Sequence, residues 1–206
     1  MTHSLSIGTD SDWALLLDFQ ATLETKPEKA IKLEKDALAQ IENITADNAR
    51  LVSNLHANLG GLYRMNGHPD LAREHMEKSI SLLDQFNLLH INDSIPQIAN
   101  YAMFLTEQQE PERGISELQK LSGIIKEYHS DHCLDYAKVQ ETLGTIYLMT
   151  ANLPQAKTHF KRAFKIYEKI WADEPEMIEA KYQEIQELYP QIGFCIGKNL
   201  SGLLTK

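Results

Sequence analysis

Apolar and small residues recur along this chain at a fixed spacing. Residues 59–63 (LGGLY) return at 143–147 (LGTIY), 84 positions later, and residues 101–105 (YAMFL) lie midway with a small residue at the same point. The period is therefore 42 residues. A period of about 20 to 50 residues is typical of solenoids, in which each repeat is one supersecondary unit that buries its apolar face against its neighbours.

A second set of positions keeps the same period. A small residue is followed four positions later by a larger side chain, and three positions after that by a third position in phase. In chain order these positions hold Ala30, Ala72, Gly114 and Ala156; Glu34, Met76, Leu118 and Phe160; and Ala37, Ser79, Leu121 and Ala163. Small residues at helical spacing let two antiparallel helices cross closely, and larger side chains fill the space between them. The pattern predicts one pair of helices in each repeat.

Prolines and polar turns mark the ends of the predicted helices. A proline is tolerated in the first turn of a helix but not in its interior, so each one indicates where a second helix begins. These prolines are Pro27, Pro69, Pro111 and Pro154. The turns between repeats contain Asp, Asn and Ser, which we expect to cap the first helix of the next repeat.

The sequence therefore predicts an all-α solenoid of about nine helices. The repeats are placed at about 11–43, 53–87, 95–128 and 137–170, with a partial repeat at 176–189. Residues 1–10 are interpreted as an N-terminal tail. Residues 191–206 contain apolar side chains among three glycines and are predicted to cap the last apolar face. In the first repeat Asp18 takes the glycine position and Glu34 the aromatic position, which we interpret as the solvent-exposed end of the array.

The succession of Leu-Gly-x-x-Tyr, a turn, a small residue and a large apolar residue resembles the tetratricopeptide repeat. The 42-residue period is similar to that of the kinesin light chain type. The resemblance covers about residues 11–190 and implies a right-handed superhelix of antiparallel helix pairs with a C-terminal capping helix. It also implies a scaffold without enzymatic activity, in which the first helices line a concave groove that receives a peptide from a partner protein.

The resemblance also indicates which residues would bind that peptide. Asn58 and Asn100 lie two positions before the small residue of the first helix, where kinesin light chains carry an asparagine that holds the peptide main chain. An amide side chain offers two donors and one acceptor, so it can match a peptide unit. Arg64 and Lys138 would attract acidic side chains. Further groove residues are expected at Asn54, Met65, Met103, Thr106, Glu141 and Thr145. The alternative is that the two asparagines in phase reflect only the common origin of the repeats.

Composition and charge narrow the range of partners. The 206 residues include 29 acidic and 20 basic side chains, and the net charge is −9. This charge repels phosphate backbones, so we expect a protein or peptide partner and no nucleic acid. No apolar stretch approaches the roughly 20 residues that cross a bilayer, so no membrane insertion is expected. The two cysteines, Cys133 and Cys195, and the polar start of the chain favour a cytoplasmic location.

Candidate chemistry is sparse. His129, His132 and Cys133 lie close together with Asp131, but they lack the second pair of ligands that zinc sites use, and a structural role is expected. His56 occupies a helix position that packing explains. Residues 60–61 (GG) lie inside a predicted helix and form no phosphate-binding loop. We therefore predict no enzymatic activity, no cofactor and no metal.

Two other functions stay open. The chain could be a regulatory sensor that changes its superhelical pitch when it binds a small signalling peptide. It could instead be a scaffold for homo-oligomers, with a dimer formed through residues 191–206. One basic stripe also stands out on a predicted helix. It is interpreted as soluble surface or, less simply, as a site for an acidic partner, and it consists of Lys157, Lys161, Arg162, Lys165 and Lys169.

Overall fold

The computed structural model describes residues 9–188, and this part of the chain consists of nine α-helices without a strand. The prediction of an all-α fold built of helix pairs is confirmed. The helices are α1 (Asp10–Leu23), α2 (Pro27–Ala39), α3 (Ala49–Met65), α4 (Pro69–Gln85), α5 (Ser94–Glu107), α6 (Pro111–Tyr128), α7 (Leu134–Met149), α8 (Leu153–Ile170) and α9 (Pro175–Leu188).

Local sequence accounts for where these helices begin and end. A proline lies at the first or second position of α2, α4, α6 and α8, where its missing N–H costs no intrahelical hydrogen bond. The chain leaves α3 through Gly67, whose φ of 76° is open to glycine at little cost. Thr9 and Asp12 form a capping box on α1. The Sγ of Cys133 caps α7, in place of the Asp, Asn or Ser that the sequence led us to expect.

The chain divides into two compact units, Met1–Tyr101 and Ala102–Lys206, with the boundary inside α5. In the first unit α3 and α4 cross at Gly60. A Cβ at this position would lie 2.6 Å from Met76 Cγ, so only glycine permits so close a crossing without movement of Met76. Leu55 and Leu59 of α3 are fully buried in the core of this unit.

In the second unit, glycines at two positions of the repeat allow two further pairs of helices to pack closely. A Cβ at Gly114 of α6 would lie 2.6 Å from the carbonyl oxygen of Ala102 on α5. A Cβ at Gly144 of α7 would lie 2.9 Å from the ring of Phe160 on α8. Three of the small residues that the 42-residue period singled out, Gly60, Gly114 and Gly144, therefore lie where helices pack closely.

The first repeat differs from the expectation. Glu34 is only 2% exposed, so the interpretation of this residue as part of a solvent-exposed end is wrong. Asp18 is half-buried. α1 instead exposes five large apolar side chains, each 45% to 68% exposed: Trp13, Leu15, Leu16, Phe19 and Leu23.

The predicted C-terminal cap at 191–206 and most of the N-terminal tail at 1–10 lie outside the described residues, as does the proposed contact for a dimer. Across residues 9–188, none of the helices combines the length and the apolar character needed to cross a membrane.

Candidate functional site

A groove in the first unit runs between the first helices of two successive repeats, α3 and α5. Its volume is about 210 Å³. One wall is Ala57, Gly61 and Arg64 of α3, which share a face because they are spaced by four and three residues. The other wall is Gln97 and Asn100 of α5. We call this surface the α3–α5 groove; Met65, Met76 and Ser79 complete its lining.

Buried serines hold the floor of the groove in place. The hydroxyl groups of Ser53 and Ser79 both donate to Gln97 Oε1, at 2.9 Å and 2.6 Å. Gln97 Nε2 in turn donates to Asn54 Oδ1 at 2.6 Å. Because both serines are buried, this network fixes the Gln97 side chain. The carbonyl oxygen of Asn54, one of the predicted peptide contacts, is therefore engaged within the protein.

Three of the predicted binding residues line the α3–α5 groove together: Arg64, Met65 and Asn100. Met65 is 82% exposed, which is unusual for so large an apolar side chain, and Asn100 is also exposed. Gly61 leaves the space between them open, since no atom lies within 4 Å of the position that its Cβ would take. An adaptable thioether and an exposed amide beside an open wall suit the binding of a peptide.

Asn58 has a different environment from Asn100. Its amide nitrogen donates to Asp18 Oδ1 at 2.9 Å and to Glu34 Oε1 at 3.1 Å, so it links α3 to both helices of the first repeat. Burial, together with the neighbouring charge of Asp18, raises the pKa of Glu34 to about 8. Nothing in the described chain donates a hydrogen bond to Glu34 Oε2, which fits a carboxyl group that carries a proton. Sequence reasoning missed this cluster, although its three residues occupy facing positions of adjacent repeats.

The other predicted binding residues belong mainly to the second unit, where most of them bond within the protein. Thr106 is buried and donates to the carbonyl oxygen of Ala102 at 2.9 Å, and Thr145 donates to the carbonyl oxygen of Glu141 at 3.1 Å. Lys138 lies 3.7 Å from Asp135 on its own helix. Met103 is half-buried on α5.

Glu141 is the most connected of the predicted residues. Its carboxylate accepts hydrogen bonds from Tyr167 Oη at 2.6 Å and from Lys181 Nζ at 3.1 Å, and it thereby joins α7 to α8 and α9. Burial and this carboxylate raise the pKa of Tyr167. Glu141 therefore stabilises the end of the array.

A histidine pair in the first unit was not anticipated. His56 Nδ1 lies 2.9 Å from His75 Nδ1, and the ring of Tyr63 stacks on His75. Burial lowers the pKa of both histidines, to about 4 for His56, where the charges of His75 and Lys78 lower it further. The neutral form of the pair is the stable one at neutral pH.

The second unit repeats this arrangement 84 residues later with one substitution. Gln140 takes the position of His56, and its Oε1 lies 2.9 Å from His159 Nδ1. Tyr147 stacks on His159 as Tyr63 does on His75. Burial, and then the charge of Arg162, lower the pKa of His159 to about 4. A polar contact at these positions is thus common to the second and fourth repeats, whereas the first and third have Ala14 and Ile98 in place of His56 and Gln140.

Groups that could hold a metal were also sought. Within residues 9–188, no three side chains among His, Cys, Asp and Glu come together in a suitable arrangement. Of the cluster noted in the sequence, His132 Nδ1 lies 2.5 Å from Asp131 Oδ1, and Cys133 caps α7.

Residues 94–169, which run from α5 into the last turn of α8, match the family model of the tetratricopeptide repeat. This part of the chain consists of tetratricopeptide repeats. No curated protein sequence matches the chain significantly.

Two of the solved structures that match the chain illustrate its fold. One is BtubC (BKLC) from P. vanneervenii, with a TM-score of 0.69 and 19% identity over 87% of this chain and 72% of the other. The second is a crystal structure of nearly identical TPR-like repeats of a Podosopora anserina kinesin light chain, with a TM-score of 0.68 and 12% identity over 81% of each chain. The similarity concerns the fold alone.

Proposed function

We propose that this protein is a non-enzymatic protein-interaction scaffold that binds a segment of a partner protein in the α3–α5 groove. The observation that carries the proposal is the exposed Met65 and Asn100 beside the open wall at Gly61. At about 210 Å³ the groove is smaller than the roughly 300–1,000 Å³ of typical small-molecule sites. A partner side chain therefore suits it better than a whole cofactor or metabolite.

Within this proposal the two asparagines have different roles. Asn100 is exposed at the groove and would hold the main chain of the bound segment. Asn58 would have to release Asp18 and Glu34 before it could donate to a peptide, and Glu34 is buried. Breaking these hydrogen bonds would leave buried polar groups without a donor, at a cost of about 1–3 kcal/mol for each group. We therefore assign the peptide contact to Asn100 and a structural role to Asn58.

The test is to fill the groove without disturbing the fold. Peptides selected from a displayed random library on the wild-type protein would be titrated against Gly61→Leu. The leucine side chain enters open space and improves helix propensity by somewhat less than about 1 kcal/mol, so the variant stays folded. We expect groove-binding peptides to lose at least about tenfold in affinity, which corresponds to about 1.4 kcal/mol.

The matched control is Gly123→Leu. Gly123 lies inside α6, is exposed, and likewise has no atom within 4 Å of its missing Cβ. This substitution makes the same change in composition and propensity on another face, so the peptides should bind as they do to wild type. Equal binding to Gly61→Leu and wild type would contradict the proposal. The cytoplasmic location and the alternative of a peptide sensor stay predictions.

A further inference from the structure

The second unit contains a second groove with a different character. It lies between the second helices of two successive repeats, α6 and α8, and has a volume of about 370 Å³. Four cationic side chains line it, Lys126 of α6 and Arg162, Lys165 and Lys169 of α8, together with Asp131 and His132 from the turn before α7. Tyr136 and Ile166, which are both nearly buried, form its apolar floor. We call this surface the basic groove.

The cations of the basic groove are poorly neutralised by the protein. Arg162, Lys165 and Lys169 share one face of α8, and in the described part of the chain no carboxylate pairs with any of them. Lys126 Nζ is 4.0 Å from Asp131, at the limit of an ion pair, and lies over the ring of Tyr136 at 5.3 Å from its centre. Asp131 is also shared with His132. A substantial positive charge therefore stays at the groove.

This local charge runs against that of the whole chain. α8 carries five lysine and arginine residues and a single acidic residue, Glu168, in a protein with a net charge of −9. Solubility does not require such a helix, because the chain is already far from neutrality. Like charges along one helix face also repel one another by a few tenths of a kcal/mol per pair. An anionic ligand would relieve that repulsion.

We propose that the basic groove binds a short acidic segment of a partner protein. Its carboxylates would pair with Arg162, Lys165 and Lys169, and one apolar side chain would pack on Tyr136 and Ile166. Arg162 and Lys169 are seven residues apart, or about 10 Å along α8 at about 1.5 Å per residue. An extended peptide covers that distance in three to four residues at about 3.3 Å each. A run of acidic residues around one apolar residue therefore fits the groove.

The size and charge of the site favour a peptide over other anions. A nucleic acid would extend its phosphates beyond the groove into the field of a protein with a net charge of −9. A single phosphate would leave the apolar floor uncovered. The proposal does not depend on the α3–α5 groove, which belongs to the other unit and lacks this ring of cations.

The experiment measures fluorescence anisotropy with a labelled Glu-Glu-Leu-Glu-Glu peptide. We expect saturable binding at about 10 mM salt that weakens at about 150 mM, because the Debye length falls from about 30 Å to about 8 Å. The Gln-Gln-Leu-Gln-Gln peptide should not bind. Absence of saturable binding by the glutamate peptide, or equal binding by the glutamine peptide, overturns the proposal.

Two variants of α8 separate the groove from the general field. Lys165→Glu/Lys169→Glu reverses two charges at the groove, whereas Lys157→Glu/Lys161→Glu makes the same change, at the same spacing on the same helix, outside it. All four lysines are exposed, and a circular dichroism melt checks that both variants fold. We expect the groove variant to lose on the order of tenfold in affinity and the control to change by less than about threefold.

Two results of these titrations would contradict the assignment. An equal loss in both variants would show that the peptide responds to the overall charge of α8 and not to the groove. Displacement of the peptide from wild type by inorganic phosphate, at an ionic strength matched with sodium chloride, would show a site for a compact anion. Either result overturns an acidic peptide as the occupant, while the test of the α3–α5 groove is unaffected.

Discussion

The first and fourth repeats differ in the side chains that lie between their two helices. In the fourth repeat Gly144 lets α7 approach α8 so closely that the ring of Phe160 fills the space between them. In the first repeat the corresponding positions hold Asp18 and Glu34, and Asn58 of the next repeat donates a hydrogen bond to each. The helices of the fourth repeat meet through an apolar contact, whereas Asp18 and Glu34 of the first repeat share one amide donor.

The difference between these repeats has an electrostatic consequence. Apolar packing at Gly144 and Phe160 does not depend on pH, whereas the first repeat contains a carboxyl group whose pKa is raised to about 8 by burial and by Asp18. The folded state therefore favours the protonated form of Glu34, which avoids a second negative charge beside Asp18. The repeat backbone therefore accommodates both the apolar and the polar arrangement, but only the polar arrangement makes the free energy of unfolding depend on pH.

The largest effect on stability is expected when an aspartate, the residue at position 18 of the first repeat, replaces Gly144 of the fourth repeat. Gly144→Asp puts a Cβ 2.9 Å from the ring of Phe160 and a carboxylate where no Asn58 equivalent donates, because the residue 40 positions after Gly144 is Glu184. We expect a loss of at least about 3 kcal/mol in the free energy of unfolding, from steric overlap and an unpaired buried charge. A circular dichroism melt measures this loss of stability.

The control for this substitution is Gly123→Asp, which makes the same chemical change at an open, exposed position of α6. We expect a change of less than about 0.5 kcal/mol, because Asp and Gly differ little in helix propensity. Similar melting curves for Gly144→Asp and Gly123→Asp would show that the close crossing of α7 and α8 contributes no specificity.

This comparison also shows how far the sequence could be interpreted. The 42-residue period was sufficient for the helix pairs, because the same small residues that recur at Gly60 and Gly144 are those at which the helices cross. The sequence also showed that Asp18 and Glu34 depart from the repeat pattern, but it did not show that Glu34 is buried. Whether an acidic residue in an end repeat faces solvent or a partner depends on how the next repeat packs against it, which periodicity does not specify.

The candidate site shows a similar limit. The in-phase positions of Asn58 and Asn100 suggested one shared role, yet Asn58 donates to two carboxyl groups and Asn100 is exposed. Equivalent positions in a repeat have equivalent backbones, but their side chains meet different neighbours. The donors and acceptors within reach decide the role of each amide, and they come from helices that are distant in sequence.

The second prediction removes the proton dependence of the first repeat. In wild type the folded-state pKa of Glu34, about 8, lies above the usual value of 4.5, so the folded state binds more protons and stability falls as pH rises from about 4.5 to 8. Glu34→Gln should be close to wild type at pH 5 and more stable at pH 9. The expected gain at pH 9 is on the order of 3 kcal/mol.

Urea unfolding by circular dichroism at several pH values measures this difference. The control is Asp36→Asn, which neutralises an exposed carboxylate on the same helix, α2, and should run parallel to wild type across the range. A Glu34→Gln variant that is equally destabilised at pH 5 and pH 9 would show that the carboxyl group stays ionised in the folded protein.

The smallest effect on stability is expected from a substitution that gives the second repeat the glutamine found at the equivalent position of the fourth repeat. His56→Gln would reproduce the contact of Gln140 with His159, which needs no second imidazole. The folded-state pKa of His56, about 4, lies below the usual value of 6.5, so its contribution is complete above pH 6.5 and is lost as pH falls toward 4. We expect His56→Gln to reduce the loss of stability between pH 7.5 and pH 5 by about 1 kcal/mol.

The difference between variant and wild type must be compared at each pH, because Glu34 acts in the opposite direction over part of this range. His68→Gln, at an exposed histidine that precedes α4, provides the control. If His56→Gln and His68→Gln give the same pH profile, the close approach of His56 and His75 does not favour the neutral pair. A selective effect of His56→Gln would mean that the second repeat is sensitive to acid because of one imidazole, at a position where the fourth repeat uses an amide that does not titrate.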